Sequence, residues 1–316
     1  MKKWMSLILC ALLAFSLAAC AAAEETVPAA RVGSLKGPTS MGMAKMMQDG
    51  GYEFTIYGAA DELNPLLVKG EMDIALIPCN VASVLYNNTE GKVQVAAINT
   101  LGVLYVVESG EEIQSVADLA GKTVYTTGKG TTPEYSLRHV LAKNGIDPDN
   151  DLTIEFKSEA TEVAAALSEG VAQIAVLPQP FVTTALMQNQ NLRVALSMTD
   201  EWAKVDPDSQ LITGVVVVRT QFAQEHPEVV DQFLADYDAS QAYVNENPAQ
   251  AGEWIAEMGI VGKAAVAEKA LPACNIVCVT GEEMKAAVSG YLAALYDQNP
   301  KSVGGAVPGD DFYYVK

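Results

Sequence analysis

The chain has 316 residues, 39 acidic and 20 basic side chains, and a net charge of −19. So acidic a surface repels nucleic-acid backbones and anionic lipid headgroups, which excludes both as partners. The length suffices for two lobes, each with a core of its own.

Lys2 and Lys3 open the chain. Residues 5–17 follow as an apolar run, too short to span a bilayer and of the length of a signal sequence. Leu17-Ala18-Ala19-Cys20 comes directly after it and resembles a bacterial lipobox. That pattern implies cleavage before Cys20 and a lipid on its thiol. The plainer alternative is an ordinary secretory signal with an incidental cysteine. Residues 21–30 are small and acidic and read as a tether. No later run suits a membrane helix, so the mature protein is expected outside the cytoplasm, held to the membrane by lipid.

From residue 31, short apolar runs alternate with helical stretches. The pattern predicts strands over 31–35, 52–57, 73–77 and 93–98. Helices are expected from Thr39 or Ser40 to about residue 48, from an Asp61 cap to Lys69 with Gly70 as its end, and over 80–86. The next segment repeats the plan, with strands over 123–126, 152–156, 174–177 and 192–195. Its helices run from a Thr131 or Thr132 cap to Ala142, then over 161–168 and 181–187. Pro133 suits the first turn of the first of these, and Glu134 is placed for a capping box. Strands alternating with helices imply mostly parallel sheet covered on both faces.

Apolar strands over 101–107 and 212–218 flank the second segment and read as crossings between lobes. The last hundred residues read as mainly helical. Val229, Val230, Phe233, Leu234 and Tyr237 share one face, and Met284, Val288, Tyr291, Leu292 and Leu295 share another. These helices are expected to return to the first lobe. The division is then residues 1–19 signal, 20–30 tether, 31–102 with 216–316 the first lobe, and 103–215 the second.

An internal repeat supports two like lobes. Residues 60–78 (ADELNPLLVKGEMDIALIP) and 160–178 (ATEVAAALSEGVAQIAVLP) agree without gaps at 7 of 19 positions. Upstream, Lys36-Gly37-Pro38-Thr39 answers Lys129-Gly130-Thr131-Thr132. Two similar α/β units around a crevice can close on a ligand.

Ligands of open α/β sheets bind beyond the carboxyl ends of strands, at helix N-termini. Four junctions qualify, in two matching pairs, and would line one cleft if the lobes face each other. The first holds Lys36, Gly37, Pro38, Thr39, Ser40 and Met41, and the second Pro78 and Asn80. The third holds Gly128, Lys129, Gly130, Thr131 and Thr132, and the fourth Gln179 and Phe181. Glycines let backbone approach a ligand, hydroxyls and the Asn80 and Gln179 amides read its polar groups, and Tyr105 and Phe181 offer stacking faces. The threonines could equally cap helices, the lysines stay solvated, and the aromatics pack in the core.

Catalytic and metal signatures are missing. Cys79, Cys274 and Cys278 remain after the signal and the lipid site, an odd number that rules out complete internal pairing. Cys274 and Cys278 could bridge locally or stay as buried thiols. His139 and His226 lie far from any cysteine in sequence and read as structural, so no metal and no cofactor are expected. The glycine loops lack phosphate-loop spacing.

The order of features resembles the solute-binding lipoproteins of ABC importers, in the branch for alkanesulfonates, taurine, nitrate and thiamine-precursor pyrimidines. The matching pieces are the lipobox, the loop Gly37-Pro38-Thr39-Ser40-Met41-Gly42, residues 66–78 with L-x₃-G-x₂-D-I-A, Asp118-Leu119-Ala120-Gly121-Lys122, and residues 127–134. The resemblance implies a two-lobed α/β fold of the periplasmic-binding-protein type II or Venus-flytrap kind, with mixed sheets, hinge strands and C-terminal helices. It implies a small polar ligand clamped between the lobes, and delivery to a membrane permease driven by an ATPase. The expected receptor is a monomer without enzymatic activity. Two alternatives use the same scaffold: a thiamine-pyrimidine biosynthetic enzyme, or a surface lipoprotein presenting its ligand to a sensor.

Overall fold

In the computed structural model, residues 29–315 are described. The signal run, the lipobox with Cys20 and most of the tether lie outside them.

The apolar runs form strands where expected. β1 (Arg31–Leu35), β2 (Glu53–Tyr57), β3 (Ile74–Pro78), β4 (Val93–Leu101), β10 (Ile212–Arg219) and β11 (Ile276–Val279) make a six-stranded sheet in the order β11-β4-β10-β3-β1-β2. β5 (Leu104–Ser109), β6 (Thr123–Thr126), β7 (Thr153–Phe156), β8 (Ile174–Pro178) and β9 (Leu192–Ser197) make a five-stranded sheet in the order β7-β6-β8-β5-β9.

The two sheets share one plan. β3 lies between parallel β1 and antiparallel β10, and β8 lies between parallel β6 and antiparallel β5. Both sheets are therefore mixed, because the crossing strands β5 and β10 run against their neighbours. Each crossing delivers its strand to an interior position of the other sheet. β4 passes through Gly102 and Val103 into β5, and the segment after α8 (Met198–Val205) leads into β10. One apolar core runs unbroken beneath these crossings, from Ile77, Ile98 and Val215 to Leu104, Val106, Val124 and Leu137.

The repeat is structural. α3 (Ala60–Lys69) leads to β3 as α6 (Ala160–Ser168) leads to β8. The identical Glu62 and Glu162 do one job: each carboxylate accepts from a backbone N–H four residues earlier, at Gly58 and Ser158. These glutamates tie the helix starts. Ala59, not the expected Asp61, is the N-cap of α3, and Asp61 sits exposed in its first turn.

Three further expectations are corrected. The helix over 39–48 is two short ones, α1 (Pro38–Met41) and α2 (Ala44–Asp49). The Ser240 hydroxyl enters the break, donating to the Gly42 carbonyl and accepting from Met46 N–H. The predicted capping box on α5 (Thr132–Lys143) is not formed: Thr131 Oγ1 donates to Gly128 O, and Glu134 accepts from Gly130 N–H. The crossing run over 101–107 is not one strand: it is divided at Gly102 and Val103 between β4 and β5. The last hundred residues are mainly helical as expected, in α9 (Thr220–Glu225), α10 (Pro227–Glu246), α11 (Pro248–Glu257), α12 (Ala264–Ala270) and α13 (Gly281–Gln298), and also hold β11.

The C-terminal helices bury the predicted faces. Met284, Val288, Tyr291, Leu292 and Leu295 are all fully buried on α13, as are Val230, Phe233 and Tyr237 on α10. α10 covers the first sheet through β11. α13 reaches both lobes, packing on β4 and on α5.

Candidate ligand cleft

All four junctions face the gap between the sheets. The chain enters α1 through Gly37 at φ 106° and ψ −151°, a region open to glycine alone. A Cβ added there would lie 3.4 Å from the Phe181 ring, which opens α7 (Phe181–Gln188) in the other lobe. The first and fourth junctions therefore touch. The second and third do as well. Asn80, in the first turn of α4 (Cys79–Asn88), donates through Nδ2 to Gly130 O at 3.2 Å and accepts at Oδ1 from the Thr132 hydroxyl at 3.3 Å. The same Nδ2 donates to Ser302 O at 3.0 Å.

Most polar groups expected to read a ligand are engaged within the protein. Thr39 Oγ1 and Ser40 Oγ both donate to Leu35 O, and Ser40 also bonds Ser34 Oγ. Gln179 Oε1 accepts from the backbone N–H and the hydroxyl of Thr183, so it caps its own helix. Met41 points away from the cleft, into the core beneath α11 and α12, where its sulfur lies 3.8 Å from Cys274 Sγ. Lys36 and Lys129 are exposed, and the Lys129 ammonium sits over the Phe156 ring. Pro78 and Gly128 are half-buried and Pro38 buried. Tyr105 is half-buried, and its hydroxyl reaches Ala273 O of the other lobe at 3.4 Å.

α5 is held from behind. His139, 1 % exposed, stacks on Trp202 with ring centroids 4.2 Å apart. Tyr291 of α13 leans on Trp202 and bonds Ser136. Burial holds the His139 imidazole below its ordinary value of 6.5, and Lys143 adds to this against the pull of Asp206. Cys79, Cys274 and Cys278 are free, and burial raises all three thiols. They are packing residues, as His139 is.

Sequence reasoning missed the floor of the cleft. Gly214 of β10 faces Pro78 on one side and Thr100 of β4 on the other, so this row crosses the carboxyl edge of the first sheet. Asn99 is fully buried there and donates through Nδ2 to Thr39 O at 3.0 Å. Its Oδ1 and the Thr100 and Thr213 hydroxyls are buried without a hydrogen-bond partner. The available signal was Asn99-Thr100 closing one apolar run and Thr213-Gly214 opening the other.

Residues 41–270 match the family described as "ABC transporter, phosphonate, periplasmic substrate-binding protein". The chain belongs to this family of periplasmic substrate-binding proteins. A Brucella abortus protein that carries the name of a binding protein is 26% identical over 218 residues, a match spanning 67% of this chain and 65% of that protein. The fold is that of an ABC transporter structure from Parabacteroides distasonis, at 25% identity and TM-score 0.76, covering 91% of this chain and 99% of that one. It is also that of the aliphatic sulphonate binding protein SsuA from Escherichia coli, at 18% identity and TM-score 0.70, covering 89% and 97%. The nitrate-binding protein NrtA from Synechocystis PCC 6803 matches at 14% identity and TM-score 0.60, covering 92% of each chain. The family is thus the one that the motifs pointed to. This substrate-binding protein has, among its described residues, no helix long and apolar enough to cross a membrane.

Proposed function

We propose that this chain is the extracytoplasmic receptor of an ABC importer. It captures a small polar organic molecule between its lobes and hands it to a permease powered by an ATPase. The six-stranded sheet with its helices forms one jaw and the five-stranded sheet with its helices the other. The N-terminal lipobox anchors it through a lipid on Cys20, and it works as a monomer without catalysis.

One observation carries this reading: junctions from both sheets meet face to face, Gly37 against Phe181 and Asn80 against Gly130 and Thr132. A ligand held there contacts both jaws only when they close, so binding favours the closed form. The sulphonate and nitrate receptors that share the fold bind oxyanions, while the notable loop residues here suit uncharged polar ligands equally.

The test is a thermal-shift screen of the refolded chain against pyrimidines, thiamine precursors, sulfonates, phosphonates, nitrate, amino acids and purines. A true ligand at a hundred times its Kd adds about 2.7 kcal/mol of stability. Small-angle scattering with the hit should show compaction. Binding without compaction, or turnover of the hit into product, would count against a receptor that closes on its cargo. Labelling with radioactive palmitate should be lost in Cys20→Ala.

A further inference from the structure

We infer, on the receptor reading above, that Asn99, Thr100 and Thr213 form the floor of the ligand site and select an uncharged or cationic ligand bearing an N–H donor, not an oxyanion.

Buried polar side chains in folded proteins almost always have partners, and several left without one at a single place call for an explanation, of which a partner supplied from outside the chain is one. Three such groups share adjacent positions on two paired strands: Asn99 Oδ1, Thr100 Oγ1 and Thr213 Oγ1. Asn99 and Thr100 are fully buried and Thr213 is 9% exposed. The orientation of the Asn99 amide is set, because its Nδ2 donates to Thr39 O in the first cleft junction. The unspent end is therefore an acceptor. Gly214 packs closely against it, and only glycine fits there, since a Cβ would lie 2.7 Å from Asn99 Oδ1 and 2.8 Å from Thr39 Cγ2. The row is the carboxyl edge of the first sheet, level with Pro78, where α/β sheets receive ligands.

An oxyanion needs several donors or a cation, and the junction side chains have spent theirs within the protein, leaving the Thr100 and Thr213 hydroxyls, which donate or accept. The hydroxyls of Thr39, Ser40 and Thr131 all donate to backbone carbonyls, and the Asn80 amide donates to two. At the start of α5, the site an anion would take is held by the Glu134 carboxylate on Gly130 N–H. The Arg138 guanidinium is engaged twice within its own lobe, donating through Nε to Glu134 Oε1 and through Nη1 to Asp149. Among the described residues, no lysine or arginine is buried, whereas Asp73, Glu108, Glu134 and Glu201 are. An acceptor at the edge of the sheet, with hydroxyl-bearing residues at neighbouring strand positions and a carboxylate at the start of α5, complements an N–H group.

The experiment uses the full chain in detergent, followed by tryptophan fluorescence on heating. One probe set is 4-aminopyrimidine, benzamidine and methylguanidinium; the other is methylphosphonate, methanesulfonate and nitrate. The expected result is stabilisation by a member of the first set only. Thr100→Val and Thr213→Val should each weaken that probe about tenfold or more, the loss of a good hydrogen bond. Neither change should lower the melting temperature without ligand, because each removes a hydroxyl that has no partner to lose. Stabilisation by an oxyanion overturns the proposed class and leaves the receptor reading standing. Unchanged affinity in both valine variants overturns the floor. A protein that neither set stabilises counts against the floor and the receptor together.

Discussion

The Thr132 hydroxyl donates to the Asn80 side-chain carbonyl at 3.3 Å, joining the start of α5 to the start of α4 across the cleft. The Asn80 amide completes the link with Gly130 O while also holding Ser302 O in its own lobe. Asn80 thus has one structural and one bridging duty, and Thr132 bridges without reaching Ser302. Asn80→Ala should cost about 1–3 kcal/mol, since a buried carbonyl loses its donor. Thr132→Val should cost under about 1 kcal/mol and leave the ligand-free chain more open. Urea melts and scattering radii of the two variants check this. Equal stability losses with unchanged radii would show that the pair does not bridge moving lobes.

Gly37 brings the first junction against the second lobe at Phe181. Its φ of 106° belongs to glycine, and its missing Cβ would stand 3.4 Å from Phe181. Gly37→Ala should therefore lose on the order of 1–3 kcal/mol through backbone strain. It should also weaken ligand binding by obstructing the seat of the Phe181 ring. Phe181→Leu in the same background should restore some affinity and none of the stability. If it restores both, ring contact and not backbone strain sets the cost.

The repeat was readable because its residues do local work. Glu62 and Glu162 each tie a helix start, and Gly70 and Gly170 each turn the chain at φ near 75° to 77°. Such tasks depend on neighbours in sequence. The break at Gly42 and the floor at Asn99 depend on residues far away, Ser240 in one case and Gly214 in the other, and no local pattern announces them. The four loops were legible for the same reason as the repeat, as strand-to-helix junctions. Their side-chain roles were not, because whether Thr39 faces a ligand or Leu35 O is decided by packing.

His139 makes the stability of α5 depend on pH. It is buried against Trp202, and its Nε2 is 3.2 Å from Asp206 Oδ2. Burial, with help from Lys143, keeps its pKa below the ordinary 6.5. The unfolded chain then takes up this proton more readily than the folded one, so stability falls as pH drops below that value. His139→Phe should keep the stack and flatten this part of the profile between pH 8 and 5. A variant whose urea midpoints fall in parallel with the parent over that range would place the sensitivity elsewhere.

Asp73, from the D-I-A motif, sits at the end of the first sheet remote from the cleft. Its carboxylate accepts from Arg31 N–H, Nε and Nη2, and from Arg219 Nη2, while 5% of its side chain is exposed. Burial alone would raise its pKa, but the hydrogen bonds from Arg31 and Arg219 outweigh burial and hold it below the ordinary 3.8. A carboxylate lowered on folding contributes its stability above the unfolded value and loses it as pH falls through the folded one. Asp73→Asn should thus cost about 3–5 kcal/mol at pH 7, since two guanidiniums lose their shared partner. The cost should shrink on acidification below about pH 4, where the parent loses the same charge. Ligand affinity, measured where the variant remains folded, should be unchanged, because the motif holds strand ends together on the far side of the sheet. A large affinity loss at full folding would mean that Asp73 acts through β3 on the cleft and that the motif serves binding as well as the fold.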